Sequence, residues 1–139
     1  MYKTLFQITL YSLFSITLQS QNPIGIWITV DDETGKEKSH VEVYEKDQKL
    51  FGKIIKLLLK PQNTVCEVCD GERKNKPLVG MVIISNMKKS GNKWEGGEIY
   101  KADAGKEYNG FLKMAGPDKL IVTGKVLFIT KSQTWRRHK

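Results

Sequence analysis

No run of eighteen or more unbroken apolar residues occurs in this 139-residue chain, which argues against a bilayer-spanning helix. Cysteine is scarce, at two residues, and so is histidine, also at two. A zinc site needs four ligands, so the single Cys66-Glu67-Val68-Cys69 motif supplies only half of one. His40 and His138 are not placed by the sequence near that motif. No Ser-His-Asp ordering, nucleophile elbow or phosphate-cradling glycine loop is present, which disfavours an enzyme, and nothing points to a cofactor. No nucleic-acid-binding motif is recognisable either. After the first twenty residues, no apolar pattern of helical period extends over ten positions.

What is present is an ordinary globular composition, 40% apolar and 27% charged, long enough for one domain. Twenty-three basic residues face fifteen acidic ones, a formal net charge of +8. Charges of both signs are interspersed, as on a soluble surface, while the excess favours anionic partners such as the lipid headgroups or acidic glycans of an envelope.

The N-terminus carries an address. Met1-Tyr2-Lys3 provides a positive start, Leu5 to Leu18 forms a mostly apolar run of fourteen residues, and the chain turns polar at Gln19-Ser20-Gln21. That order describes a secretory signal peptide over residues 1–20, with cleavage after Ser20. The expected mature domain is residues 21–139, exported to a periplasm or beyond, with a net charge of +7 once Lys3 is lost.

That domain reads as strands separated by turns at a spacing near ten residues. Ile26, Ile28 and Val30 alternate with Trp27, Thr29 and Asp31, the two-residue period of a half-buried strand. Asp32 to Lys36 supplies turn chemistry, His40 to Tyr44 a second strand, Asp47-Gln48 a reversal, and Lys49 to Leu58 a third strand. Residues 60–79, with Pro61, Pro77 and both cysteines, read as a long loop. Further strands are expected at Met81–Lys88, Trp94–Tyr100, Glu107–Met114, Leu120–Thr130 and Ser132–Arg137, with a bulge or bend at Gly96-Gly97. The expected fold is therefore all-β: a single antiparallel up-and-down barrel of about eight strands, closed so that no sheet edge is left bare. Such a barrel either fills itself with side chains or holds one small ligand.

Several residues carry candidate chemistry. In an oxidising compartment Cys66 and Cys69 are expected to join in a disulfide. The bridge is then a staple for the long loop, and the alternatives are thiol exchange or half of a metal site. His40, Glu42 and Tyr44 share one face of a strand, so they either line the barrel or form a solvent-facing polar strip. Trp94, Tyr100, Tyr108, Phe111 and Met114 either line a cavity or pack a closed core. The expected ligand is small and apolar or amphipathic.

The segments Ile24-Gly25-Ile26-Trp27, Asp31-Asp32-Glu33-Thr34-Gly35-Lys36, Ser39-His40-Val41-Glu42-Val43-Tyr44 and Leu50-Phe51-Gly52-Lys53-Ile54 together resemble an uncharacterised bacterial exported family, domain of unknown function 2147. The resemblance continues through Cys66-Glu67-Val68-Cys69, Lys76-Pro77-Leu78-Val79-Gly80, Trp94-Glu95-Gly96-Gly97 and Gln133-Thr134-Trp135-Arg136-Arg137. It implies a calycin-like barrel related to lipocalins. It also implies that Trp27 closes one end, with the guanidinium of Arg136 or Arg137 over its ring. The departures fall in the second half: Lys101-Ala102-Asp103-Ala104 before Gly105, Thr123 before Gly124, and no glycine between Lys125 and Ser132.

Overall fold

The computed structural model describes residues 10–13 and 21–139. The expected leader over residues 1–20 lies outside the described residues apart from 10–13, which have no regular secondary structure. Eight strands follow: β1 (Gly25–Val30), β2 (Glu37–Lys46), β3 (Lys49–Leu57), β4 (Val82–Ser90), β5 (Lys93–Lys101), β6 (Lys106–Met114), β7 (Lys119–Val126) and β8 (Ile129–Arg137). Each pairs antiparallel with the next, and β8 returns to β1 through Trp27↔Arg137 and Ile28↔Arg136, which closes the barrel. Among the described residues the one helical element is a 3-10 turn, Gly71–Arg73, within the long β3–β4 connection.

Turn chemistry explains most of the reversals. Asp47 and Gln48 both take positive φ, 52° and 64°, which matches the twist of a tight hairpin. Gly91 does the same between β4 and β5 (φ 62°). In the β1–β2 turn the Asp31 carboxylate accepts hydrogen bonds from the Thr34 and Glu33 amides and the Thr34 hydroxyl. These bonds to its charged form, Thr34 foremost, hold the Asp31 carboxyl below its usual range. In β5 the register against β6 shifts between Glu95 and Glu98, the bulge expected of Gly96-Gly97.

One boundary differs from the sequence expectation. The chain does not run as a strand from Leu120 to Thr130. It reverses at Leu127-Phe128, with Val126 paired to Ile129 and Leu127 at φ 52°. Neither residue is a turn former, so the apolar tip reads in sequence as more strand.

The two ends of the barrel differ. At one end, Trp27, Val41, Val43, Leu50, Ile84, Met87, Leu112 and Leu120 are each 5% exposed or less and pack as one cluster. Gly52 lets this packing happen, because a Cβ there would sit 3.2 Å from Ile84 and 3.3 Å from Val41. At the other end, from which the β1–β2, β3–β4, β5–β6 and β7–β8 connections rise, the interior is hollow. The choice between a filled and a hollow barrel is thus resolved by halves.

Candidate functional site

The hollow half is a cavity of about 580 Å³ that opens at the mouth. Its wall is largely apolar: Ile54, Ile83, Ile99, Tyr108, Val122 and Trp135, one from each of the six strands β3 to β8, with Val30 of β1 also lining it. Gly124 sits beside Tyr108 on this wall, where a Cβ would meet Tyr108 Cβ at the ordinary contact distance of 3.5 Å, so its missing side chain leaves that volume to the cavity. An eight-stranded barrel leaves space for one small molecule only where such positions are not filled.

Charge is confined to the rim. Lys101 Nζ pairs with Asp32 Oδ2 at 2.6 Å, and Lys38 Nζ with Asp103 Oδ2 at 2.6 Å, with Asp103 Oδ1 also 3.9 Å from Lys101. In a ring of eight, β1 and β5 lie four strands apart in either direction, so these ion pairs tie opposite walls across the opening. Gln133 extends the tie downward. Its amide donates to Asp32 Oδ1 and to the Val30 carbonyl, both at 2.8 Å, and its Oε1 accepts from Trp135 Nε1 at 2.6 Å. The inner Trp135 is thereby oriented by the same network that spans the rim.

The clasp titrates in opposite senses at its two ends. The hydrogen bond from Lys101 holds the Asp32 carboxyl below its ordinary 3.8, against a partial burial that raises it. The same bond holds Lys101 above its ordinary 10.5. Asp32 therefore stabilises the fold above about pH 4 and loses that contribution as pH falls through its lowered value. Lys101 contributes below about pH 10 and loses it as pH rises past its raised value. Both groups are a third exposed, so the clasp is worth at most about 1 kcal/mol. The urea midpoint of Asp32→Asn, measured against the native chain, is expected to show its deficit near neutral pH. The deficit is expected to shrink progressively as pH falls below the ordinary carboxylate range and through the lowered Asp32 value. A deficit independent of pH would place the interaction elsewhere.

The opposite end is closed by Trp27, whose side chain is fully buried and whose Nε1 donates to the Pro23 carbonyl at 2.8 Å. The guanidinium of Arg137 lies over its ring, 4.3 Å from the centroid. Arg137 also donates to the carbonyls of Pro117 (2.9 Å), Ile24 (2.9 Å) and Asn22 (2.7 Å), so its fork ties together the strand ends. Gly25 is required here: at φ +143°, a Cβ would sit 2.6 Å from the guanidinium. Arg136 does not take this role. It alternates to the outer face and pairs with Glu37.

The long loop folds back over the β5–β6 turn. Cys66 and Cys69 are bonded to each other, both buried, with the Cys66 sulfur 3.3 Å from the Ala102 carbonyl. Gly105 (φ +62°) permits this contact, because a Cβ there would strike the backbone at Val68. The burial fits a staple and gives an incoming thiolate no exposed sulfur to attack. Among the described residues no group of three or more His, Cys, Asp or Glu is placed to hold a metal ion.

The remaining candidates divide by strand alternation. Val41 and Val43 point inward, so His40, Glu42 and Tyr44 form the polar strip of the outer face and do not line the cavity. His40 meets His138 in a tilted ring pair with centroids 4.4 Å apart, Glu42 pairs with Lys53 at 3.5 Å, and Tyr44 stacks on Phe51. Partial burial, followed by the neighbouring His138, pushes the His40 imidazole below its usual value. Trp94 sits at the closed end, where it lines a small surface depression together with Pro23, Ile24 and Leu50, away from the cavity. Phe111 lies under Lys93 and Lys125, and Met114 packs in the core. Tyr108 lines the cavity. Tyr100 touches it but also lies beneath the long loop, its ring capped by Arg73 at 4.0 Å and its hydroxyl buried with no partner among the described residues. Sequence reading missed Lys38, Asp103, Lys101, Asp32 and Gln133 as the rim. The pairs join residues 65 and 69 positions apart, and no local pattern announces them.

An eight-stranded up-and-down barrel, sealed at one end by an indole under a guanidinium and open at the other, is a lipocalin-type fold. A solved structure supports that class: the lipocalin-family protein HP1028 from Helicobacter pylori superposes with a TM-score of 0.75 at 22% identity. The match covers 85% of this chain and 84% of that one. The chain itself belongs to the family of uncharacterised proteins conserved in bacteria, domain of unknown function 2147, whose model matches residues 25–137. No curated protein matches it.

Proposed function

We propose that the protein is a non-catalytic binding module that holds one small apolar or amphipathic molecule in the mouth half of its barrel. The observation that carries this reading is the cavity of about 580 Å³, which lies within the 300–1,000 Å³ usual for small-molecule sites. Its apolar wall suits a hydrocarbon or ring system, and the Lys38, Lys101 and Asp32 rim suits a polar head left near water. The lipocalin-type fold of the chain and of HP1028 is compatible with such a role. We further take residues 1–20 to be removed on export, a reading supported by their charge and apolar order and by the disulfide of the mature domain.

The test is to purify the protein from its native host, extract it with organic solvent and identify the extract by mass spectrometry. An intact mass beginning at Gln21 checks the leader in the same run. In parallel, the emptied protein is titrated with a polarity-sensitive naphthylamine probe. Ile99→Trp places an indole in the cavity and is expected to lower probe affinity at least about tenfold while the β-sheet circular dichroism spectrum is retained, at a cost in thermal midpoint set by the tighter packing. Equal probe binding by Ile99→Trp and the native chain would remove the cavity as the site.

A further inference from the structure

We propose that the β7–β8 tip docks the barrel mouth on an anionic lipid surface. Four consecutive apolar residues form this tip: Val126, Leu127, Phe128 and Ile129 are 41%, 92%, 100% and 71% exposed. The other two-residue turns are polar, Asp47-Gln48 and Gly91-Asn92. Leu127 holds φ 52°, a conformation that Asn or Gly adopts at lower cost, so the tip keeps a bulky apolar residue where turn geometry favours a polar or small one.

Charge complementarity selects the occupant. Lys125 and Lys131 flank the four apolar residues, and Lys106 stands on the same rim. Of the neighbouring carboxylates, Asp32 is bound by Lys101, with Lys131 also near it, and Asp103 by Lys38, so the tip carries Lys125 on its outer side and Lys131 at the mouth, with Lys106 and Glu107 further along the rim. A second copy seated tip to tip would bring the same lysines against each other. A bilayer interface instead accepts the apolar side chains below the headgroups and the ammonium groups among the phosphates. The inference goes beyond the ligand reading and does not depend on it. On that reading, it sets the cavity mouth where an apolar molecule passes from bilayer to barrel without crossing water.

The full chain is mixed with vesicles of phosphatidylcholine, with or without phosphatidylglycerol, and co-sedimented. In Phe128→Trp the added indole is read against the three native tryptophans by quenching from brominated acyl chains, so residues 1–20, common to every variant, do not enter the signal. Quenching that requires phosphatidylglycerol and weakens with added salt is the expected result. Leu127→Ser/Phe128→Ser is expected to bind anionic vesicles about tenfold or more weakly while the naphthylamine probe still enters its cavity, which confirms folding. An unquenched indole at position 128 overturns the proposal. So does a chain that ignores vesicles but self-associates through the tip, losing its dimer in the Leu127→Ser/Phe128→Ser variant.

Discussion

Trp27→Ala is expected to cost about 3–5 kcal/mol, a large share of the 5–15 kcal/mol that holds a domain of this size together. The side chain is wholly buried, so its removal forfeits the transfer free energy of an indole and leaves a void that strand ends cannot fill without breaking register. Two further contacts are lost: the hydrogen bond to the Pro23 carbonyl and the ring beneath Arg137, the latter worth about 0.5–2 kcal/mol. Arg137→Ala is expected to be severe as well, about 2–4 kcal/mol, because three backbone carbonyls lose a charged donor and the ring is uncovered. Arg136→Ala supplies the contrast. Its guanidinium is 66% exposed and its pair with Glu37 lies in water, so a change below about 1 kcal/mol is expected. Urea denaturation of the three variants decides the matter. Equal losses at the two arginines would mean that the end closure does not depend on which guanidinium covers the indole.

The pairing of arginine with indole shows where sequence reading stops. Both arginines follow Trp135, and the two-residue period says that only one can point inward without saying which. The answer depends on the β1–β8 register, which matches Trp27 with Arg137, and on Gly25, whose missing Cβ leaves the guanidinium its place. The polar turn at Asp47-Gln48 was legible because polar residues that favour reversals stand between two strand-like runs. Leu127-Phe128 was not, since hydrophobic residues at a reversal look like a strand continuing. His40, Glu42 and Tyr44 were visible as a common face, and only the burial of Val41 and Val43 fixes that face as the outer one. The rim ion pairs had no local signature at all, because closure of the ring, not sequence proximity, brings Asp32 to Lys101.

Gly97→Ala and Gly110→Ala are expected to destabilise the barrel by about 3 kcal/mol or more, against the sign that strand propensity suggests. In an open strand, Ala is better than Gly by roughly 0.5–1 kcal/mol because the unfolded chain has less freedom to lose. Here the neighbouring strand leaves no room. A Cβ on Gly97 would lie 2.6 Å from the carbonyl carbon of Asn86, beside the Ser85 carbonyl oxygen. Asn86 takes φ 57° in β4 while Gly96 takes φ 82° in the β5 bulge, so both strands kink together and the sheet curls there. A Cβ on Gly110 would overlap the Thr123 carbonyl oxygen and press Ile99 Cδ1 at 2.8 Å. Gly110 pairs with Gly124, and Ile99 and Gly124 both line the cavity, so the strain reaches the cavity wall directly. Gly110→Ala is therefore expected to weaken probe binding as well as lower the urea midpoint, whereas Gly97→Ala, on the β4–β5 pair, is expected to act on stability alone. Alanine at either position raising the midpoint would show that the strands do not approach each other this closely, and the curl that closes the cylinder would need another cause.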